Sequence, residues 1–383
     1  MGKREKGDCQ VTTRRDFIVL GAAAAATAFG QEVNARKVKT RAVLLHLGQN
    51  MWGEYLAPGE KRQEGLQYTA NRLRTDENVW REVTKRMQER KFNMAVIDVG
   101  EGLVFPSHPE LAVKGSWSAE KLSAEVKRLK EMGIEAIPKL NFSTCHDGWL
   151  KEYGRMISTD IYRKAVKEII DDTCEVFGNP RFMHFGMDEE NLEMQKNYPL
   201  VIIRKEELWW RDFFHYLDCA ERHGTQGMLF SCYASRSYPD RFYARMPKSV
   251  IQNIGLYGHG HDVNAIRADI EKRLKTNPPR PTAHLVRKVQ AFESMAKLAE
   301  NGFKVLALTS NWVWKGEMPK PWPTGKDYPQ DPKAAEWMWN YAKSHFADEN
   351  LMGLMTAPWG EIKPELQYYW QSAVDQVADA MEG

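Results

Sequence analysis

Several functions lack their usual signature in this chain. Five cysteines are scattered through 383 residues and none forms a C-x-x-C pair, so a zinc ribbon or dithiol redox centre has no frame. The formal net charge is only +3, and no basic block alternates with aromatics, which argues against nucleic-acid partners. Beyond residue 30 no apolar run reaches the ~20 residues that a membrane span needs. There is no internal repeat and no composition break to mark a second domain. What remains is 43 % hydrophobic and 27 % charged, a globular balance with an unusual 13 tryptophans. Tryptophan suits the flat apolar faces of sugars, although core packing explains most of it in most proteins.

The first thirty residues read as a leader rather than as fold. Thr12-Thr13-Arg14-Arg15-Asp16-Phe17 precedes the apolar run Ile18-Val19-Leu20 and the small residues Ala22 to Ala26. Twin arginines, a short apolar run and small residues predict export through the twin-arginine (Tat) route, with cleavage after Ala28 or Gly30. The expected location is periplasmic or extracellular, with residues 31–38 as a linker. Cys9 would leave with the leader. Cys145, Cys174, Cys219 and Cys232 are expected as buried free thiols.

From residue 39 to 383 short apolar runs alternate with helical patterns. Strands are expected at 41–46, 93–99, 134–141, 181–187, 227–231, 250–255, 305–310 and 352–359. Helices are expected at 80–87, 118–132, 160–177 and 206–223, with Ser118 as N-cap and Gly133 just past the C-terminus. Eight such rounds predict a single α/β domain, a (β/α)8 TIM barrel. Residues 255–281 and 315–333 are expected as long loops.

The run Arg181-Phe182-Met183-His184-Phe185-Gly186-Met187-Asp188-Glu189-Glu190 is the most informative. An apolar strand ending in carboxylates is what a barrel enzyme places at its mouth. With a period of two, His184, Gly186 and Asp188 face inward, and Met183, Phe185 and Met187 face the helices. Gly186 would leave space above the barrel floor. Two adjacent carboxylates in one pocket cannot both ionise freely, and the one pushed up suits a general acid.

His184-Phe185-Gly186-Met187-Asp188-Glu189 resembles the His-x-Gly-x-Asp-Glu strand of the family 20 glycoside hydrolases, the β-N-acetylhexosaminidases. Gly133-Ile134-Glu135-Ala136-Ile137-Pro138 is similar to that family's third strand, and Trp359-Gly360-Glu361 to the Trp-x-Glu after its last. The likeness is good over about Lys85 to Asn191 and patchy elsewhere. It implies hydrolysis of an oligosaccharide or glycoconjugate without a cofactor, assisted by the substrate's own acetamido group. Glu189 would be the acid/base, and Asp188 would orient the acetamido nucleophile. His184, His146, Asp98, Glu101, Asn311, Trp312, Trp314, Trp359, Glu361, Tyr233 and Tyr257 would line the sugar site, His184 more as a brace than as a reactant. The family's first-strand arginine is replaced by Gln49 or Asn50, and its seventh-strand tyrosine by Val313.

Three other readings remain open. Asp98 or Glu101 could act as nucleophile or base on sugars without an acetamido group. The barrel could bind carbohydrate without cleaving it. A metal-dependent hydrolase could use His46, Asp98, His146, His184, His259 or His261, but no His-x-His ends the first strand and no His-Glu-x-x-His occurs, so no metal is expected. Oligomeric state has no sequence signal.

Overall fold

The computed structural model describes residues 38–50, 69–195, 200–231, 239–313 and 325–383. The chain divides into two units, Met1–Val38 and Lys39–Gly383. All of the first but Val38 lies outside the described residues, and so do the expected leader and Cys232.

The second unit is a closed barrel of eight parallel strands in sequence order. They are β1 (Thr40–His46), β2 (Met94–Asp98), β3 (Glu135–Lys139), β4 (Phe182–His184), β5 (Gln226–Phe230), β6 (Ile251–Gly255), β7 (Val305–Thr309) and β8 (Leu351–Thr356). Around them run α1 (Glu77–Glu89), α2 (Ala119–Glu131), α3 (Asp160–Val176), the single turn α4 (Leu192–Gln195), α5 (Glu207–Glu221), α6 (Pro239–Arg245), α7 (Val263–Leu274), α8 (Ala283–Glu300), α9 (Ala334–His345) and α10 (Gln367–Glu382). All eight expected strands form. The barrel closes where Arg41 pairs with Leu354 of β8.

The period-two pattern sorts the core into two compartments. Leu44, Val96, Ile137, Phe182, Met228 and Leu306 meet inside the barrel. Their strand neighbours Val43, Ala95, Met183, Leu229 and Val305 pack outward against the helices. α2 shows how a helix is specified. Ser118 Oγ accepts from Lys121 N at 3.2 Å, and Gly133 leaves the helix at φ +78°. Leu122 and Leu129 are fully buried on the inner face, each worth roughly 1.5–3 kcal/mol.

Two expectations need correction. β4 is three residues long, not seven, because the backbone turns left-handed at Gly186 and Met187. The side-chain alternation still holds, with Met183, Phe185 and Met187 in the outer core. The second concerns 255–281, expected as a loop, which contains α7. Val263, Ile266 and Ile270 are half-buried and no α7 residue is fully buried, so its apolar stripe is faint among charges. Of the other expected long loop, 325–333 are described and hold one short turn. Cys145, Cys174 and Cys219 are free and buried. No helix among the described residues is long and apolar enough to cross a membrane.

Candidate active site

Asp188, Glu189 and Glu190 leave the C-terminal end of β4 in three directions. Asp188 is nearly buried, with its side chain 14 % exposed, whereas that of Glu189 is 46 % exposed and reaches the mouth. Glu190 is fully buried and joins Arg204 in an ion pair. Arg204 also reaches Phe142 O at 2.6 Å, Tyr216 Oη at 2.5 Å and Asp212 Oδ2 at 3.3 Å. The third carboxylate of the run is therefore an anchor. Glu189 sits at φ +59° and Met187 at φ +63°, left-handed conformations that L-residues enter at a cost of roughly 1–2 kcal/mol each.

The loop after β3 meets this run. Asn141 Nδ2 donates to Asp188 Oδ1 at 3.1 Å, and the Ser143 hydroxyl donates to the Asp188 carbonyl. Gly186 is needed here for contact rather than for space. A Cβ on it would lie 2.0 Å from Asn141 Oδ1, and its φ is +68°.

His146 closes a triad with the two carboxylates. Its Nε2 lies 3.5 Å from Asp188 Oδ2 and 3.3 Å from Glu189 Oε2. Burial favours neutral imidazole, but the two carboxylates outweigh it and raise the pKa to about 10. Burial likewise opposes an ionised Asp188, yet His146, Lys139 and Asn141 hold its carboxyl well below the usual range. At neutral pH the pair is an imidazolium beside a carboxylate. The three donor groups lie within 4.8 Å of one another and could surround a cation.

The floor holds a second charged group. Lys139, at the inward end of β3, pairs with Asp98, the last residue of β2, and both are buried. His46 Nδ1 lies 3.6 Å from the same carboxylate, and its pKa falls because burial outweighs Asp98. Burial also lowers the pKa of His184, to about 3, and Lys139 adds to that effect. Gly186 N donates to His184 Nδ1 at 3.0 Å, so His184 is neutral with its proton on Nε2. Its ring meets Phe230 edge-on at 4.3 Å. It braces the floor and lies below the Asp188–Glu189 pair.

Trp359 forms one wall. Its ring is 5.4 Å from His46 and 6.4 Å from Phe230, and its Nε1 donates to Tyr257 Oη at 2.9 Å. Glu361 lies 3.6 Å from Arg74 Nη1 and 2.9 Å from Lys363 Nζ. The structure thus brings together Asp98, His146, His184, Asp188, Glu189, Tyr257 and Trp359.

Other expected residues do structural work. Glu101 is buried, with Oε1 accepting from Gln49 N at 2.7 Å and from Asn50 N at 3.0 Å. Burial still raises its pKa. Asn311 is buried and donates to Tyr369 O at 3.0 Å, while the Trp312 backbone bridges to Gln330. His259 pairs with Asp331 on the exposed surface, and His261 Nε2 donates to the Tyr257 carbonyl oxygen at 2.8 Å. Trp314 and Tyr233 lie outside the described residues.

No protein-family model and no curated protein matches the sequence. Solved structures do match the fold. The β-N-acetylhexosaminidase from Bacteroides fragilis NCTC 9343 aligns with a TM-score of 0.51 at 12 % identity, over 88 % of this chain and 65 % of that one. A mutant Streptomyces plicatus β-hexosaminidase in complex with its product GlcNAc gives 0.53 at 10 % identity, over 90 % and 64 %. A family 20 β-N-acetylglucosaminidase gives 0.54 at 10 % identity, over 90 % and 70 %. The barrel fold is shared with the family 20 β-N-acetylhexosaminidases. The chain spans less than two thirds of the Bacteroides and Streptomyces proteins.

Within the barrel, four polar residues stand out that the sequence pattern did not single out. Lys139 and Asn141 sit two and four residues after Ile137, so the inward period of β3 was the available signal. Arg204 and Arg74 come from irregular segments with no periodicity, and only the fold places them. Arg74 Nη2 donates to Gln49 O at 2.6 Å, which brings an arginine beside the first-strand position where Gln49 or Asn50 stands.

Proposed function

We propose that this chain is an exported glycoside hydrolase resembling the β-N-acetylhexosaminidases, led out by a twin-arginine signal in residues 1–30. The observation that carries the reading is the Asp188–Glu189–His146 triad at the C-terminal end of a barrel strand, the end where barrel enzymes act. Glu189, half exposed, delivers its proton to the glycosidic oxygen and later takes one from water. Asp188, ionised and held by Asn141, orients the substrate's 2-acetamido group so that its carbonyl oxygen attacks the anomeric carbon. His146 holds both carboxylates in place, and Trp359 offers a face to the sugar ring.

The reading with Asp98 or Glu101 as nucleophile or base is less well supported. Lys139 and His46 occupy Asp98, and the Gln49 and Asn50 amides occupy Glu101.

Purified protein offered aryl β-glycosides with and without a 2-acetamido group tests the proposal. Turnover of the acetamido substrate is expected, with a loss of at least about a hundredfold in Glu189→Gln. Cleavage of plain sugars alone would remove the substrate-assisted step, and unchanged turnover in Glu189→Gln would remove the acid.

A further inference from the structure

The connection between β6 and β7 carries more than the barrel needs. α7 contributes no fully buried residue and lies along α8, where Arg267 reaches Glu293 at 2.8 Å. α8 buries only Leu285 before Ala291. The pair is rooted at the mouth end. The segment leaving β6 supplies Tyr257, whose hydroxyl accepts from Trp359, and His261 and Phe292 both meet Trp337 near the start of α9.

The charge at the tip of this hairpin is one-sided, although Asp269, Glu271, Glu293 and Glu300 lie nearer its base and Asp269 pairs with Arg273 at 2.9 Å. Residues 272–292 hold Lys272, Arg273, Lys275, Arg280, Arg287 and Lys288, and no Asp or Glu. Those six cations exceed the formal net charge of the whole chain, +3, so the remaining residues are on balance acidic. Lys272, Lys275, Arg280 and Arg287 are exposed. The stretch from Lys272 to Ala291 contains no Phe, Tyr or Trp, so it offers no stacking platform for nucleic-acid bases. Leu274 and Val286 are exposed beside the cations, but two separate side chains make a small apolar face for a lipid surface.

We propose that the α7–α8 hairpin holds the distal part of an anionic polysaccharide whose terminal sugar enters the barrel mouth. The proposal rests on the glycosidase reading and narrows its substrate class to acidic glycans. Exposed cations attract a polyanion over a Debye length of about 8–10 Å at moderate salt, which concentrates the chain at the mouth. A pair of helices bearing exposed cations suits a flexible polymer that has no single register.

The test uses the full chain and the triple variant Lys272→Glu, Lys275→Glu, Arg280→Glu, which changes exposed side chains only. Equilibrium binding to heparin and to neutral dextran is measured across a salt series, with duplex DNA and anionic phospholipid vesicles as parallel arms. Heparin should bind and dextran should not, with affinity falling steeply as salt rises. The triple variant should bind heparin at least about tenfold more weakly while cleaving a small neutral aryl glycoside at the wild-type rate. Equal heparin binding by the variant, or tighter binding to DNA or vesicles than to heparin, overturns the glycan assignment. Variant-sensitive heparin binding without any aryl glycoside cleavage instead overturns the hydrolase reading and leaves the hairpin as a polyanion-binding surface.

Discussion

Arg204 and Glu190 form an ion pair with both side chains out of solvent, tying the carboxylate run to the segment that leads into α5. Removing one partner leaves a buried charge uncompensated. Arg204→Met is expected to cost about 3–5 kcal/mol in denaturant unfolding. The double variant Arg204→Met, Glu190→Gln should lose less than the two single losses added together, and full additivity would show that the pair is not coupled.

His146 links stability to pH just above neutrality. Its folded pKa is raised to about 10, above the ordinary value near 6.5. Its contribution is therefore complete below about 6.5 and fades as the pH climbs towards 10. Asp188 is depressed, so its share is complete above about 4 and fades as the pH falls further. Unfolding free energy measured against pH should show a decline between about 6.5 and 8 in the wild type that is absent in His146→Gln, below the range where the buried thiols and phenols begin to titrate. Parallel curves would rule this out.

Asp188→Asn separates charge from shape. Turnover of an acetamido substrate should fall by roughly 10²–10³. The pKa of His146, followed by NMR, should drop because its strongest anionic neighbour is gone. A lower rate with an unmoved His146 titration would mean that the two groups do not interact as the geometry indicates.

Gly186→Ala forces a Cβ against Asn141 and keeps a left-handed backbone. Stability should fall by about 1–3 kcal/mol, and turnover should fall with it, because Asn141 holds Asp188. Gly133→Ala is the control. It too is left-handed, but nothing lies within 4 Å of the added Cβ, so it should cost about 1 kcal/mol and leave turnover alone.

Glu101→Gln tests a structural assignment. It weakens the acceptor for two buried amides and is expected to lower stability by about 1–3 kcal/mol. The shape of the pH–rate profile should stay as in the wild type. Loss of one limb of that profile would return Glu101 to the chemistry.

The barrel was legible because eight apolar runs separated by helical patterns leave few other solutions, and the inward face of β4 followed from its period of two. Placement at the barrel mouth was legible where a residue ends a strand or closely follows one, as with Asp98, His184 and Asp188. It was not legible where the use of a side chain depends on a neighbour distant in sequence. Glu101 reads as a mouth carboxylate until the amides of Gln49 and Asn50 fold onto it. Glu190 reads as a third acid until Arg204 arrives. α7 was hidden because a helix lying on another helix needs only a narrow apolar stripe.

The left-handed backbone at Met187 and Glu189 has a consequence for robustness. Each is held in a geometry that a free peptide would leave, so the loop stores free energy that other packing has to offset. Glycine at either position relieves that tension. A chain carrying Glu189→Gly is therefore expected to lose its activity and yet withstand heat at least as well as the wild type, since durability and proton delivery make opposing demands on the same peptide unit.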